Sequence, residues 1–346
     1  MKLTLSFVPL LAALVLAASA DAATSTAARD WQFKDDSVGG LAIDNLVGDV
    51  NIERGTAAGF QVSVRVTAEA ASAQEADRIA RAVEFSMRDA GSSSSLQVLL
   101  PEAKFPTIYI AGVPVGWWVG DAKTEYLGEK RRVTGYKDKG VQVRVDILVR
   151  APEDARLVVR NLFGDAAAAG FSGELRLDGG RGRLSSRDGS GKIELDSGSG
   201  PVEVSGHSGV VEADSGSGSV TISDCRCRIN ANTGSGSVTA SILPMTEHLV
   251  VDTGSGDVRV TGDLSGLKRL DVDTGSGGVQ IEAAAWPAME IAIDTGSGSV
   301  MVDVPGAEVT RHDGADRTVR IAGGGARGVI GTGSGSVRLR TTPAAD

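Results

Sequence analysis

The stretch DSGSGSVTI, residues 214–222, returns as NTGSGSVTA, DTGSGDVRV, DTGSGGVQI and DTGSGSVMV further along the chain. The Asp or Asn that opens each copy falls at Asn161, Asp178, Asp196, Asp214, Asn232, Asp252, Asp273 and Asp294, then more loosely at Asp313, with Gly331 in the same place. The intervals are 17, 18, 18, 18, 20, 21, 21, 19 and 18 residues. A flexible Ser/Gly linker has no reason to keep such a count, so the repeat is architectural.

Six residues after the markers stand Leu184, Val202, Val220, Val238, Val258, Val279, Val300, Val319 and Val337, and two further on come residues such as Val204, Ile222, Val260 and Ile281. A second set precedes the markers, among them Ile193 and Leu195, Val211 and Ala213, Leu249 and Val251, Leu270 and Val272. Both sets alternate with period two, the mark of strands with one buried face. Each period therefore holds two short strands and two Gly-rich turns. One such unit cannot bury its own apolar face, but units stacked at about 4.8 Å place like residues above like. The expected fold class is all-β: a parallel β-solenoid (β-helix) of about ten coils with 18- to 21-residue repeats over residues 151–340, followed by a tail, 341–346. Its corners are expected to use Gly for positive φ and the Asp or Asn side chain as an Asx-turn acceptor.

Residues 21–150 read as a less regular β-rich region. LAIDNLVGDV at 41–50 is echoed by VVRNLFGDA near Asn161, which places the first coil there. Ser72 and Glu75 form a capping-box pair ahead of Ala76, Ile79, Ala80, Val83 and Met87, so a helix over about 72–87 is expected, as a cap over strand edges. The chain opens with Lys2 and an apolar run from Leu3 to Ala17, the layout of a secretory signal peptide cut near Ala20, which implies a periplasmic or secreted protein. Residue 21 is Asp, so no lipid-anchor cysteine follows the cut, and no later apolar run has the roughly 20 residues of a membrane span. Loss of Lys2 takes the net charge from -9 to -10, which disfavours nucleic acid as a partner.

The NLVGDV and NLFGDA starts, the D-[ST]-G-S-G-x-V turns, the leader and the embedded helix resemble an exported β-strand-repeat family of unknown function whose members are commonly labelled adhesins. The resemblance covers roughly residues 30–340. It implies an architecture and carries over no catalytic residues.

The search for chemistry is brief. Calcium-binding β-rolls place a ligand Asp after the glycines, where this chain has Val220, so no metal site is assigned and no cofactor is expected. Cys225 and Cys227 share one strand face, as a C-x-C disulfide or as two small buried hydrophobes. His207, His248 and His312 lie in turns of different coils without a Ser or Cys partner, and no hydrolase elbow, zincin or phosphate-loop motif occurs. The chain is therefore expected not to be an enzyme. One stretch, 104–139, departs from the pattern: it concentrates Tyr109, Trp117, Trp118, Tyr126, Lys130, Arg131, Arg132 and Tyr136 in a chain with only 4% aromatics. Two readings stand for it, a recognition surface for an envelope component, protein or glycan, and packing at the end of the solenoid. The leading expectation is a non-catalytic exported binding or adhesin-like module. The alternatives are a structural or stress-associated envelope protein without a specific ligand, and a solenoid-type carbohydrate-active enzyme.

Overall fold

The computed structural model describes residues 23–33, 40–89, 93–110, 122–136, 140–312 and 316–342. The expected leader and the C-terminal tail from residue 343 onward lie outside the described residues. Among the described residues the fold is β-rich, repetitive and solenoid-like, with one helix near its start. The chain forms two compact units, Met1–Asp165 and Ala166–Asp346.

The first unit holds β1 (Ala23–Gln32), β2 (Leu41–Val47), β3 (Val50–Arg54), β4 (Gln61–Ala70), α1 (Ala73–Ala82), β5 (Glu84–Asp89), β6 (Ser94–Leu99), β7 (Ile108–Tyr109), β8 (Ala122–Tyr126), β9 (Glu129–Thr134), β10 (Val141–Ala151) and β11 (Ala155–Phe163). Antiparallel pairing joins β1 to β4 and β4 to β10, while β3 and β7 join β10 in parallel. A second set runs β5, β6, β2, β11, parallel except for its first pair. The NLVGDV and NLFGDA motifs fall in register, with Asn45 beside Asn161 and Val47 beside Phe163. Both Asn side chains are buried and both amide nitrogens are bonded, while Asn45 Oδ1 has no partner among the described residues. Asn45 Nδ2 donates to Asn161 Oδ1 at 3.1 Å, and Asn161 Nδ2 donates to the carbonyls of Gly48 and Gly164, each at 3.0 Å.

The helix starts where the capping box places it, the Ser72 hydroxyl accepting the Glu75 N–H at 3.2 Å. It ends earlier than the periodicity suggests. Val83 is extended, and Glu84 to Asp89 pair with β6. Met87 thus belongs to a strand, because cross-strand bonds and the packing of Phe85 on Trp31, ring centroids 5.2 Å apart, outweigh a local helical pattern. The helix buries Ala76 and Ala80 and packs against β1 and β4.

The second unit alternates between two sheets: β12 (Ala166–Ala169), β13 (Ser172–Arg181), β14 (Leu184–Arg187), β15 (Ser190–Ser197), β16 (Val202–Ser205), β17 (Ser208–Ser215), β18 (Val220–Thr233), β19 (Val238–Ile242), β20 (His248–Thr253), β21 (Val258–Asp263), β22 (Arg269–Thr274), β23 (Val279–Ala285), β24 (Met289–Thr295), β25 (Val300–Asp303), β26 (Glu308–Arg311), β27 (Arg317–Ile321), β28 (Ala326–Thr332) and β29 (Val337–Thr341). In one sheet Leu184, Val202, Val220, Val238, Val258 and Val279 stand side by side in parallel register. These six are all buried, which makes the repeated valine a continuous core column.

The order of coils departs from the order of the chain. β28 lies between β22 and β24, and β29 lies between β23 and β25. The last coil is therefore inserted beneath the coil that precedes it in sequence. Val319 and Ile321, which the repeat count places in the core column, sit instead on β27, antiparallel to the outer edge of β24 and paired in turn with β26. β27 ends with Ile321 beside Met289, and β28 begins with Ala326 on the opposite side of Met289. The link between them must cross the end of β24 within four residues. Ala322, Gly323 and Gly324 do so with φ of 48°, 81° and 82°, which explains the glycine run.

Substituting Val220→Asp places a carboxylate with no partner in the core column. It should destabilise the fold by roughly 4 kcal/mol or more. A thermal melt followed by circular dichroism checks this, and an unchanged melt contradicts the stacked core.

Candidate functional site

The described residues of the 104–139 stretch, 104–110 and 122–136, include a hairpin. Leu127 and Gly128, with φ of 53° and 79°, form a two-residue turn that joins β8 to β9. The turn fixes the register: Tyr126 stands beside Glu129, Glu125 beside Lys130, Thr124 beside Arg131 and Lys123 beside Arg132. β9 then pairs with β7, which sets Tyr109 next to Thr134.

This register divides the residues singled out from the sequence. Tyr126 and Arg131 are buried, not displayed, so for these two the surface assignment is corrected. The Tyr126 hydroxyl lies 2.8 Å from the carbonyls of both Asp44 and Val98, and burial, with the Asp44 charge nearby, pushes its pKa well up. Arg131 Nη2 donates to the Phe105 carbonyl at 3.0 Å. Both anchor the hairpin, because a phenol or guanidinium out of water needs such partners. Lys130, Arg132 and Tyr136 are exposed and Tyr109 is half-buried. Trp117 and Trp118 lie outside the described residues. Lys123, which sequence reading passed over, is exposed directly opposite Arg132, and the Leu-Gly turn is the signal that gives its place.

The Ser/Gly corners are built differently from the expected Asx turns. The Thr233 hydroxyl accepts the Gly236 N–H at 3.1 Å and donates to the Gly218 carbonyl of the neighbouring coil at 2.9 Å. Ser215, Thr253, Thr274 and Thr332 repeat both bonds. At these five positions the hydroxyl after the marker thus ties its own turn and the coil beneath, whereas Thr295 donates to the Gly298 carbonyl of its own turn, and Asp196, Asp252, Asp273 and Asp294 point outward. The corner glycines serve close approach and not positive φ: a Cβ on Gly256 would stand 1.8 Å from the Gly236 carbonyl oxygen. The outward carboxylates also do not form one unbroken column. Gly331 stands between Asp273 and Asp294, and this spacing removes a repulsion that chain order alone would create.

Beside the opposite corner lie His207, Cys225 and Cys227, all buried. The thiols are unbridged, and the hydrogen bond between them, reinforced by burial, holds the Cys227 thiol up. His207 Nε2 lies 3.1 Å from the Gly191 carbonyl. A carbonyl only accepts, so the proton sits on Nε2, and Nδ1 is a buried acceptor without a protein partner among the described residues. Burial lowers the His207 pKa. Among the described residues no group of three or more His, Cys, Asp or Glu side chains is placed to hold a metal ion, and no helix is long and apolar enough to cross a membrane.

Two measurements test these assignments. Thr253→Val leaves the Gly256 N–H and Gly236 carbonyl unsatisfied and should cost about 1–2 kcal/mol, whereas the outward Asp252→Asn should stay within about 0.5 kcal/mol. Equal effects in urea titrations would return the corner to the carboxylate. For His207, the unfolded chain takes up a proton near the ordinary histidine value while the folded one stays neutral. Stability is therefore lost as pH falls below about 6.5 toward the lowered folded value. His207→Leu should remove that part of the slope between pH 7 and acid in urea midpoints, and a slope unchanged by the substitution would contradict the buried neutral ring.

Comparison with known proteins completes the site. No curated protein matches the chain. Three solved structures are similar in outline: a protein of Clostridium sporogenes provisionally named a cell adhesion protein, at 12% identity over 92% of this chain and 100% of its own with a TM-score of 0.22; one of Bacteroides fragilis provisionally named an adhesin, at 10% over 91% and 96% with 0.32; and one of Parabacteroides distasonis provisionally named a lipid binding protein, at 10% over 90% and 96% with 0.30. Residues 144–317, half of the chain and most of its repeats, match Toastrack DUF4097, and the chain belongs to that family.

Proposed function

We propose that the chain is a non-catalytic exported binding module: a parallel β-solenoid of about ten coils whose first unit displays a recognition surface for an anionic envelope component, protein or glycan. The observation that carries this reading is the pairing of Lys123 with Arg132 across the β8–β9 hairpin, both exposed, in a chain of net charge -9. Like charges directly opposite one another in a sheet oppose folding, and an anionic partner turns that cost into attraction. Lys130, Tyr136 and Tyr109 lie on the same hairpin and its neighbouring strand, and Trp117 and Trp118 extend the set in sequence. Tyr126 and Arg131 position the hairpin from beneath. The leader-like N-terminus supports delivery to the periplasm or beyond it.

The double variant Lys123→Glu/Arg132→Glu tests the proposal. Binding to envelope extract, measured by pull-down at low salt, should fall about tenfold or more, while the melt stays within about 0.5 kcal/mol because both side chains are exposed. Undiminished binding by this variant contradicts the assignment.

A further inference from the structure

A second surface emerges on the other unit, independent of the hairpin. Inward-facing Leu249 and Val251, Leu270 and Val272, and Gly328 and Ile330 fix which residues of β20, β22 and β28 face solvent. The outward partners in register are His248, Arg269 and Arg327, and Arg228, preceding Ile229 in its pairing with Leu249, extends the row by one coil. Four consecutive coils thus present four basic residues in line, about 4.8 Å apart. The inserted last coil completes the row. In chain order the neighbour of Arg269 would come from β24, whose Glu290 stands at this position; instead Arg327 intervenes, and Glu290 lies beyond it, bonded to Arg320 at 2.7 Å.

We infer that Arg228, His248, Arg269 and Arg327 form a binding row for a linear acidic polysaccharide, with one carboxylate meeting each coil. Arg269 is held by Asp271 of its own strand, and Glu247, paired with Lys268, lies within electrostatic reach of Arg228 and His248, while the guanidinium groups of Arg228 and Arg327, both exposed, make no side-chain hydrogen bond among the described residues. Arginine offers a planar fork that matches a carboxylate with two hydrogen bonds. The adjacent row carries Asn230, Val250, Asp271 and Val329, the last 54% exposed, so apolar surface lies beside the charges where the C–H faces of sugar rings can rest. A chain of uronic acid rings repeats its carboxylate at every ring, and it lies along the row without covering its surroundings. A planar anionic bilayer is disfavoured on this face: two rows away Asp252, Asp273 and Asp294 point outward, and a sheet of headgroups would have to cover them as well.

The full-length protein should be titrated with fluorescent oligogalacturonates of two, three, four and six rings. Affinity should tighten steeply from two rings to four, level off beyond four, and weaken with added salt. Arg228→Gln/Arg327→Gln should bind the four-ring oligomer about tenfold more weakly with an unchanged melt, and Lys123→Glu/Arg132→Glu should bind it as the parent does. The inference is overturned if the parent binds the methyl-esterified, uncharged oligomer equally well, if affinity does not grow between two rings and four, or if the Arg228/Arg327 variant binds like the parent. Tighter binding to vesicles of phosphatidylglycerol and phosphatidylcholine than to the four-ring oligomer likewise overturns it in favour of a membrane surface.

Discussion

The contact on which the second unit depends is that between one corner and the corner below it. At Thr233, Thr253 and Thr274 a single hydroxyl closes its own turn and reaches a carbonyl of the neighbouring coil. The glycines alongside let backbone approach backbone at distances no Cβ would tolerate. These two features lock the vertical register of successive coils. Once register is locked, the alternation of each strand does the rest, sending Val220 and its equivalents into the core and the residues between them to solvent. Buried polar groups follow the same economy. Asn45 in the first unit donates to Asn161, which in turn donates to nearby carbonyls, so their burial specifies register as well as packing.

The inserted C-terminal coil is the least expected part of the architecture. β24 lies against β28 on one side and β27 on the other, so the neighbours of the penultimate coil come from segments that follow it in the chain. Its contacts are non-local: the coil 289–303 meets its neighbours only through residues 317–321 and 326–341, so loop closure precedes the contacts that reward it. The insertion also alters the outer face. It puts Gly331 where a third successive carboxylate would crowd Asp273, and Arg327 where an acidic side chain would break a basic row.

The two candidate surfaces share a logic. Each consists of outward cations whose positions are set by strand register rather than by nearness in sequence: Lys123 and Arg132 across a two-residue turn, and Arg228 through Arg327 along a stack of coils. The residues that look most chemical when read singly have structural work instead. Tyr126 and Arg131 anchor a hairpin, His207 fills space beside Gly189 and Gly191, and the cysteines pack against one another.

The sequence by itself determined the local elements and the existence of the stack. The 18- to 21-residue period, the alternating valines, the capping box at Ser72 and the paired Asn motifs are all short-range patterns, and strands and turns answer to short-range chemistry. The residues of the aromatic-basic stretch were legible as a group, because their composition departs from the rest of the chain. Which of them face solvent was not, since burial of Tyr126 and Arg131 depends on Asp44, Val98 and Phe105, which are distant in sequence. The helix end at Ala82, the order of the last coils, the choice of hydroxyl over carboxylate at the corners and the alignment of Arg327 with Arg269 were likewise decided by tertiary structure. In each case a local pattern allowed two outcomes of similar cost, and a hydrogen bond or strand pairing with a remote segment separated them.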